Sequence, residues 1–326
     1  MAPRKSSDWL YIFPKGTDWL VAGGDCLENM ISSLNDPHIQ YPSTVLMVGG
    51  HERNAAQIEM FPCLDFSESR GLAQLRADPS TLDHDHPLLV ASLDTENAYN
   101  KLQPPRSTFG NIRHRLEWLL PTTATETLVD TVVGRVLLLF TDVICIFLDD
   151  FPTPEEGFHL VQRWEEAAQT LPPWKPRVIL VTSRGPVDKH MLSTPMFGEV
   201  RQVELRSRNS KQLRSQRYRR LERVIRQSVG IVQKRKFACK RLFSAIHFNA
   251  FFKLALQHAA SRIPEGFNFI LATRQLHEID DRFVQYLETF LELCVASHVS
   301  RDTVLRYIAS AIILDSLPPR MHRKCY

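Results

Sequence analysis

Five short apolar runs punctuate the first two thirds of this 326-residue chain: Thr44–Val48, Leu88–Ser92, Val143–Leu148, Arg177–Thr182 and Val200–Leu205. All but the last are nearly continuous in apolar residues, as strands covered on both faces are. Helical patterns separate them. Thr125–Phe140 carries Leu128, Val129, Val132, Val136 and Leu139 at helical spacing. Thr153-Pro-Glu-Glu156 has a capping Thr, a Pro in the first turn and an acid three residues on, so it predicts a helix start. That helix would bury Phe158, Val161, Trp164 and Ala168 and stop before Pro172-Pro173. Strand and helix in alternation predict an α/β fold with a doubly wound, mainly parallel sheet.

Four regions follow from this pattern. Residues 1–40 form an N-terminal extension with an echo, Asp8-Trp-Leu10 and Asp18-Trp-Leu20, and an amphipathic helix near Cys26–Leu34. The α/β domain spans 41–206 and a basic helix 207–229. Residues 230–326 read as a helical layer, with helices near Phe237–Arg262, Leu276–Ser297 and Arg301–Ser316, and one weak strand candidate at Phe267–Leu271.

The first strand ends in Gly49-Gly50 and is followed by His51-Glu-Arg-Asn-Ala-Ala56. Strand, glycines and helix in this order resemble the phosphate loop of a P-loop NTPase. That loop needs Gly, four residues, then Gly-Lys and Ser or Thr. Counted from Gly49, the last three positions hold Asn54, Ala55 and Ala56. The ammonium for the phosphates and the hydroxyl for Mg²⁺ are missing, so the site is degenerate and no cofactor is expected. The other loops of a GTPase-like fold are equally bare. Ser92-Leu-Asp94 lacks a Gly two residues on, and Thr182-Ser-Arg-Gly185 stands where a base-reading loop would place Lys and Asp. Asp149-Asp150 read as solvated carboxylates at a strand end.

No other chemistry takes its place. Ser183 follows a strand, but Val181 occupies the position where a nucleophile elbow needs Gly. Asp83-His-Asp-His86 is dense in potential ligands but lacks zinc-site spacing and reads as a surface loop. No catalytic or metal residue is predicted.

The net charge of +4 hides an asymmetry. Arg201–Arg241 holds fifteen Lys or Arg against two Glu, a local charge of +13 that leaves the remainder at −9. On a helical wheel Leu213, Tyr218, Leu221, Val224, Ile225 and Val229 share one face, and Arg219, Arg220, Arg223 and Arg226 the other. Those arginines are either a solvated face or an anion dock for an acidic partner or anionic membrane. Nucleic acid is disfavoured because no reading motif accompanies the charge. There is no run long enough to cross a membrane and no secretory signal. The six cysteines are scattered, without a Cys-x-x-Cys pair, as in a reduced, cytoplasmic protein.

Three blocks and the ending form an ordered series: Asn111–Pro121, Val133–Phe151, Trp174–Ser183 and Leu317–His322. Together they resemble the region upstream of the lipase domain in fungal patatin-like phospholipase proteins. Patatin-like enzymes use a Ser–Asp dyad on a Gly-x-Ser-x-Gly elbow. That elbow is absent here, so the resemblance carries over no catalytic residue. It implies a non-catalytic regulatory or interaction module. The alternatives are a nucleotide hydrolase that recruits Arg53 or Lys101, and a peripheral membrane binder acting through the basic helix.

Overall fold

The apolar runs become the parallel half of a larger, mixed sheet. The computed structural model describes residues 7–64, 71–100, 102–104, 113–120, 122–168, 174–187, 197–205, 216–239, 241–276 and 282–315. Among these, nine strands make one sheet: β1 (Asp8–Lys15), β2 (Asp18–Gly23), β3 (Ser43–Gly49), β4 (Ala73–Ala77), β5 (Leu88–Asp94), β6 (Arg113–Arg115), β7 (Val143–Phe147), β8 (Arg177–Thr182) and β9 (Val200–Glu204). Their order is β6-β2-β1-β4-β5-β3-β7-β8-β9. The block β5-β3-β7-β8-β9 is parallel. The other pairings, β6-β2, β2-β1, β1-β4 and β4-β5, are antiparallel. The expectation of a mainly parallel sheet is corrected accordingly: four of the eight pairings run each way.

The antiparallel half escapes a search for continuous apolar runs for physical reasons. In β4, Gln74 and Arg76 interrupt the pattern. β6 is three residues long and exists only through its pairing with β2. The echoed Asp-Trp-Leu pieces open the two arms of a hairpin in which Lys15 pairs with Asp18. The turn between them is two residues long and contains Gly16 at φ +63°, a conformation that favours glycine. Residues 1–40 thus supply two sheet strands as well as the short helix α1 (Cys26–Ile31).

Helices cover both faces. α2 (His51–Met60) and α6 (Arg219–Ala238) pack on Val45, Met47, Cys145, Phe147 and Ile179. Ile146 points the other way, towards α5 (Pro154–Ala167), where a Cβ on Gly157 would lie 2.7 Å from Leu148 Cδ2. α5 starts at Pro154 as expected, although the Thr153 side chain makes no cap hydrogen bond. α3 (Thr95–Asn100) follows β5, and α4 (Thr125–Arg135) ends in a 3-10 turn over Leu137–Phe140 instead of continuing as α-helix. α7 (Ala245–Ala260) closes the hairpin side: Phe252 stacks on Trp9 with centroids 5.1 Å apart, and Phe248 meets Phe140 edge-on.

Of the basic helix expected over 207–229, the structure describes residues from 216 onward, and α6 (Arg219–Ala238) runs past the expected end. Of its expected apolar face, Tyr218, Leu221, Ile225 and Val229 are buried; Leu213 and Arg214 lie outside the described residues. Not all its cations face water. Lys236 is buried, pairs with Asp142 at the start of β7, and lies 5.0 Å from the Trp174 ring centroid. Asp142 also accepts the Thr44 N–H at 3.0 Å, so this pair ties α6 to the lower edge of β3.

The chain divides into a unit ending at Phe267 and a second from Asn268. The first contains the whole sheet and α1–α7. The second consists, among the described residues, of α8 (Phe269–Leu276), α9 (Phe283–Ala296) and α10 (Arg301–Asp315). The strand candidate Phe267–Leu271 is therefore helical from Phe269. No helix among the described residues is long and apolar enough to cross a membrane.

Candidate functional site: the carboxyl edge of the parallel strands

β3 lies inside the parallel block, with β5 on one side and β7 on the other. The connection from β3 leads to the β5 side and that from β7 to the β8 side. The crevice above the ends of β3 and β7 is thus a topological switch point, where open α/β sheets bind ligands. Gly49-Gly50 and Asp149-Asp150 meet there.

The crevice already holds an anion. Asp150 Oδ2 accepts the N–H groups of Gly50 (2.8 Å) and Arg53 (2.9 Å), and Oδ1 accepts that of Glu52 (2.6 Å). These donors open α2, where the otherwise unpaired amides and the helix dipole favour negative charge. The carboxylate sits where a phosphate would. Gly49 makes room for it: φ is +151°, and a Cβ would fall 2.5 Å from Asp150 Oδ2.

The loop positions singled out in the sequence do not form a loop. The chain passes from β3 through Gly50 straight into helix at His51. Asn54, Ala55 and Ala56 are in the second turn of α2 rather than at its mouth. Ala56 is fully buried in the core and Asn54 is exposed, accepting a hydrogen bond from Arg53 Nη2 at 2.8 Å.

Neighbouring charges are committed in the same way. The buried Arg53 guanidinium reaches beneath α2 to Ser92 Oγ (2.7 Å) and Asp94 Oδ2 (3.0 Å). Burial pulls its pKa down, opposed by Asp94 and Asp150. Asp94 Oδ1 accepts the Glu96 N–H at 3.0 Å. Glu52 accepts the Tyr218 hydroxyl and pairs with Arg217 at 2.9 Å, linking α2 to the start of α6. Asp149 accepts Thr182 Oγ1 (3.0 Å), the Ser183 N–H (2.7 Å) and Ser183 Oγ (2.6 Å), with Arg184 Nε 3.5 Å away. Asp149 and Asp150 are therefore structural acceptors joining three strand ends, not solvated carboxylates.

Beside this network is an open cleft of about 840 Å³ between α3, α4 and the β7–α5 connection. Phe151, Pro152 and Leu160 provide apolar lining, and Glu96, Glu126 and Glu156 join the two aspartates as its acids. Arg163, also in the lining, is held by buried Asp130 at 2.6 Å; Tyr99 and Trp164 donate to the same carboxylate. This cleft has no short sequence motif. Its acids come from three segments, and only the fold gathers them.

Elsewhere the site residues stay apart. Asp83 accepts from Asn35 and the His86 ring contacts the Tyr41 carbonyl; among the described residues no group of three His, Cys, Asp or Glu could hold a metal. Arg219, Arg220, Arg223 and Arg226 are exposed on α6. Arg226 pairs with Glu222 at 2.9 Å and lies 3.6 Å from Asp78, so the uncommitted arginine face narrows to the other three. Lys101 lies outside the described residues.

No protein-family model matches this chain, and no curated protein does.

Proposed function

We propose that this chain is a non-catalytic interaction module on a P-loop-NTPase-like scaffold, akin to the region upstream of the lipase domain in fungal patatin-like phospholipases. Support for the scaffold comes from the five parallel strands, with β3 between β5 and β7 and running through glycines into a helix, and from antiparallel β4 flanking β5. The observation that carries the non-catalytic part is the Asp150 carboxylate on the amides of Gly50, Glu52 and Arg53. A nucleotide phosphate would have to displace this carboxylate from the amides, without a lysine or Mg²⁺ hydroxyl in place. Nor is Arg53 available as a substitute lysine, because its guanidinium points under the helix to Ser92 and Asp94.

Calorimetric titration of the full chain with GTP and with ATP, each with Mg²⁺, tests this. The expected result is no binding heat with either. Micromolar affinity for either nucleotide would overturn the proposal.

A further inference from the structure

We infer that the cleft beside Asp150 is a docking site for an extended protein segment bearing arginine or lysine. The inference rests on the interaction-module reading and names the class of partner.

Three properties of the cleft select that occupant. It flanks the switch-point crevice, whose own anion position is filled from within, so what enters is not drawn by the α2 amides. Its charge is unbalanced. Asp149 and Asp150 are bound to backbone and side-chain donors, and Arg163 is bound by Asp130. Glu126 on α4 and Glu156 on α5 line the cleft, are both exposed, and have no side-chain partner among the described residues. Two uncommitted carboxylates thus face one cleft from two helices. The lining is also partly apolar, through Phe151, Pro152 and Leu160. Arginine and lysine combine an apolar stem with a cationic head, so one side chain satisfies both surfaces. An inorganic cation or a small polyamine would use only the charge, and a nucleic acid would be repelled.

The probe is a fluorescein-labelled octapeptide of four arginines alternating with four serines, followed by polarisation against the 326-residue chain. Its companion has glutamate in place of arginine. The expected result is saturable binding of the arginine peptide alone, weakened roughly fivefold when Glu126→Gln and Glu156→Gln are combined, the size expected from losing two exposed ion pairs. Both positions are exposed, and an unchanged thermal melt verifies that the variant folds. Absence of binding, or binding that the double variant leaves unchanged, overturns the inference. So does complete competition by spermine at equal charge concentration, which would mark a counterion effect. The nucleotide titration is a separate readout: nucleotide binding sinks the proposed function whatever the peptide does, whereas a silent peptide with no nucleotide binding sinks only the docking site.

Discussion

At the residue scale, Asp150 acts as a helix cap supplied from a hundred positions away. A capping carboxylate next to its helix in sequence contributes about 0.5–2 kcal/mol; here the same chemistry joins β7 to α2. Asp150→Ala leaves the amides of Gly50, Glu52 and Arg53 without their acceptor. The expected cost is about 1–2 kcal/mol in urea unfolding. The vacated amides should then accept a small anion. In a titration of the variant with inorganic phosphate, followed by ¹H–¹⁵N spectra, the signals of Gly50, Glu52 and Arg53 should shift together, while the parent protein stays silent. Unmoved amides in the variant would show that Asp150 does not occupy an anion site. Gly49-Gly50 is legible in the sequence as a special strand-to-helix turn. Its partner is not, because the Gly50–Asp150 contact spans 100 positions. Only the register of β3 against β7 creates it.

At the element scale, α6 shows how periodicity and charge answer different questions. Its amphipathic face is readable from Leu221, Ile225 and Val229, and all three are buried. The charge run does not distinguish Arg219, Arg220 and Arg223, which are exposed, from Lys236, which is buried against Asp142 and Trp174. The distinction depends on where the helix meets the lower edge of the sheet, which is a tertiary fact. Replacing the three exposed arginines together by glutamine should change unfolding free energy by no more than about 0.5 kcal/mol per site. Lys236→Ala should cost about 3 kcal/mol, because it leaves Asp142 buried with its ionic partner removed. Chemical denaturation of the two variants checks the contrast, and equal losses would contradict this assignment of inner and outer faces. The same dependence on partners explains the strands that composition does not announce. β4 and β6 are held by β5 and β2, while the five apolar runs identify themselves.

For the whole molecule, the question is where the sheet-bearing unit ends. Sequence pattern puts a boundary near residue 230, where strands give way to helices. That position is inside α6, and α7 beyond it belongs to the same unit. Phe248, Phe251, Phe252 and Leu256 of α7 are all buried; Phe252 stacks on Trp9, and Leu256 approaches Gly23 so closely that a Cβ there would be 3.0 Å away. Trp118 Nε1 donates to the Ala259 carbonyl at 2.7 Å. At about 1.5–3 kcal/mol per large apolar side chain, losing α7 forfeits on the order of 6–12 kcal/mol. That is comparable to the entire stability of an ordinary domain, about 5–15 kcal/mol. A fragment of residues 1–267 should therefore keep the near-ultraviolet circular dichroism and the main thermal transition of the full chain. A fragment of residues 1–230 should show neither. Residues 268–326 contribute a separate, weaker transition, since their helices expose Val284, Leu293 and Val295 at 61%, 62% and 76%. If the 1–230 fragment melts like the full chain, α7 is an accessory and the boundary belongs where the strands stop. If 1–267 fails to fold while the full chain does, the two units are one cooperative body, and the core described above is incomplete without α8–α10.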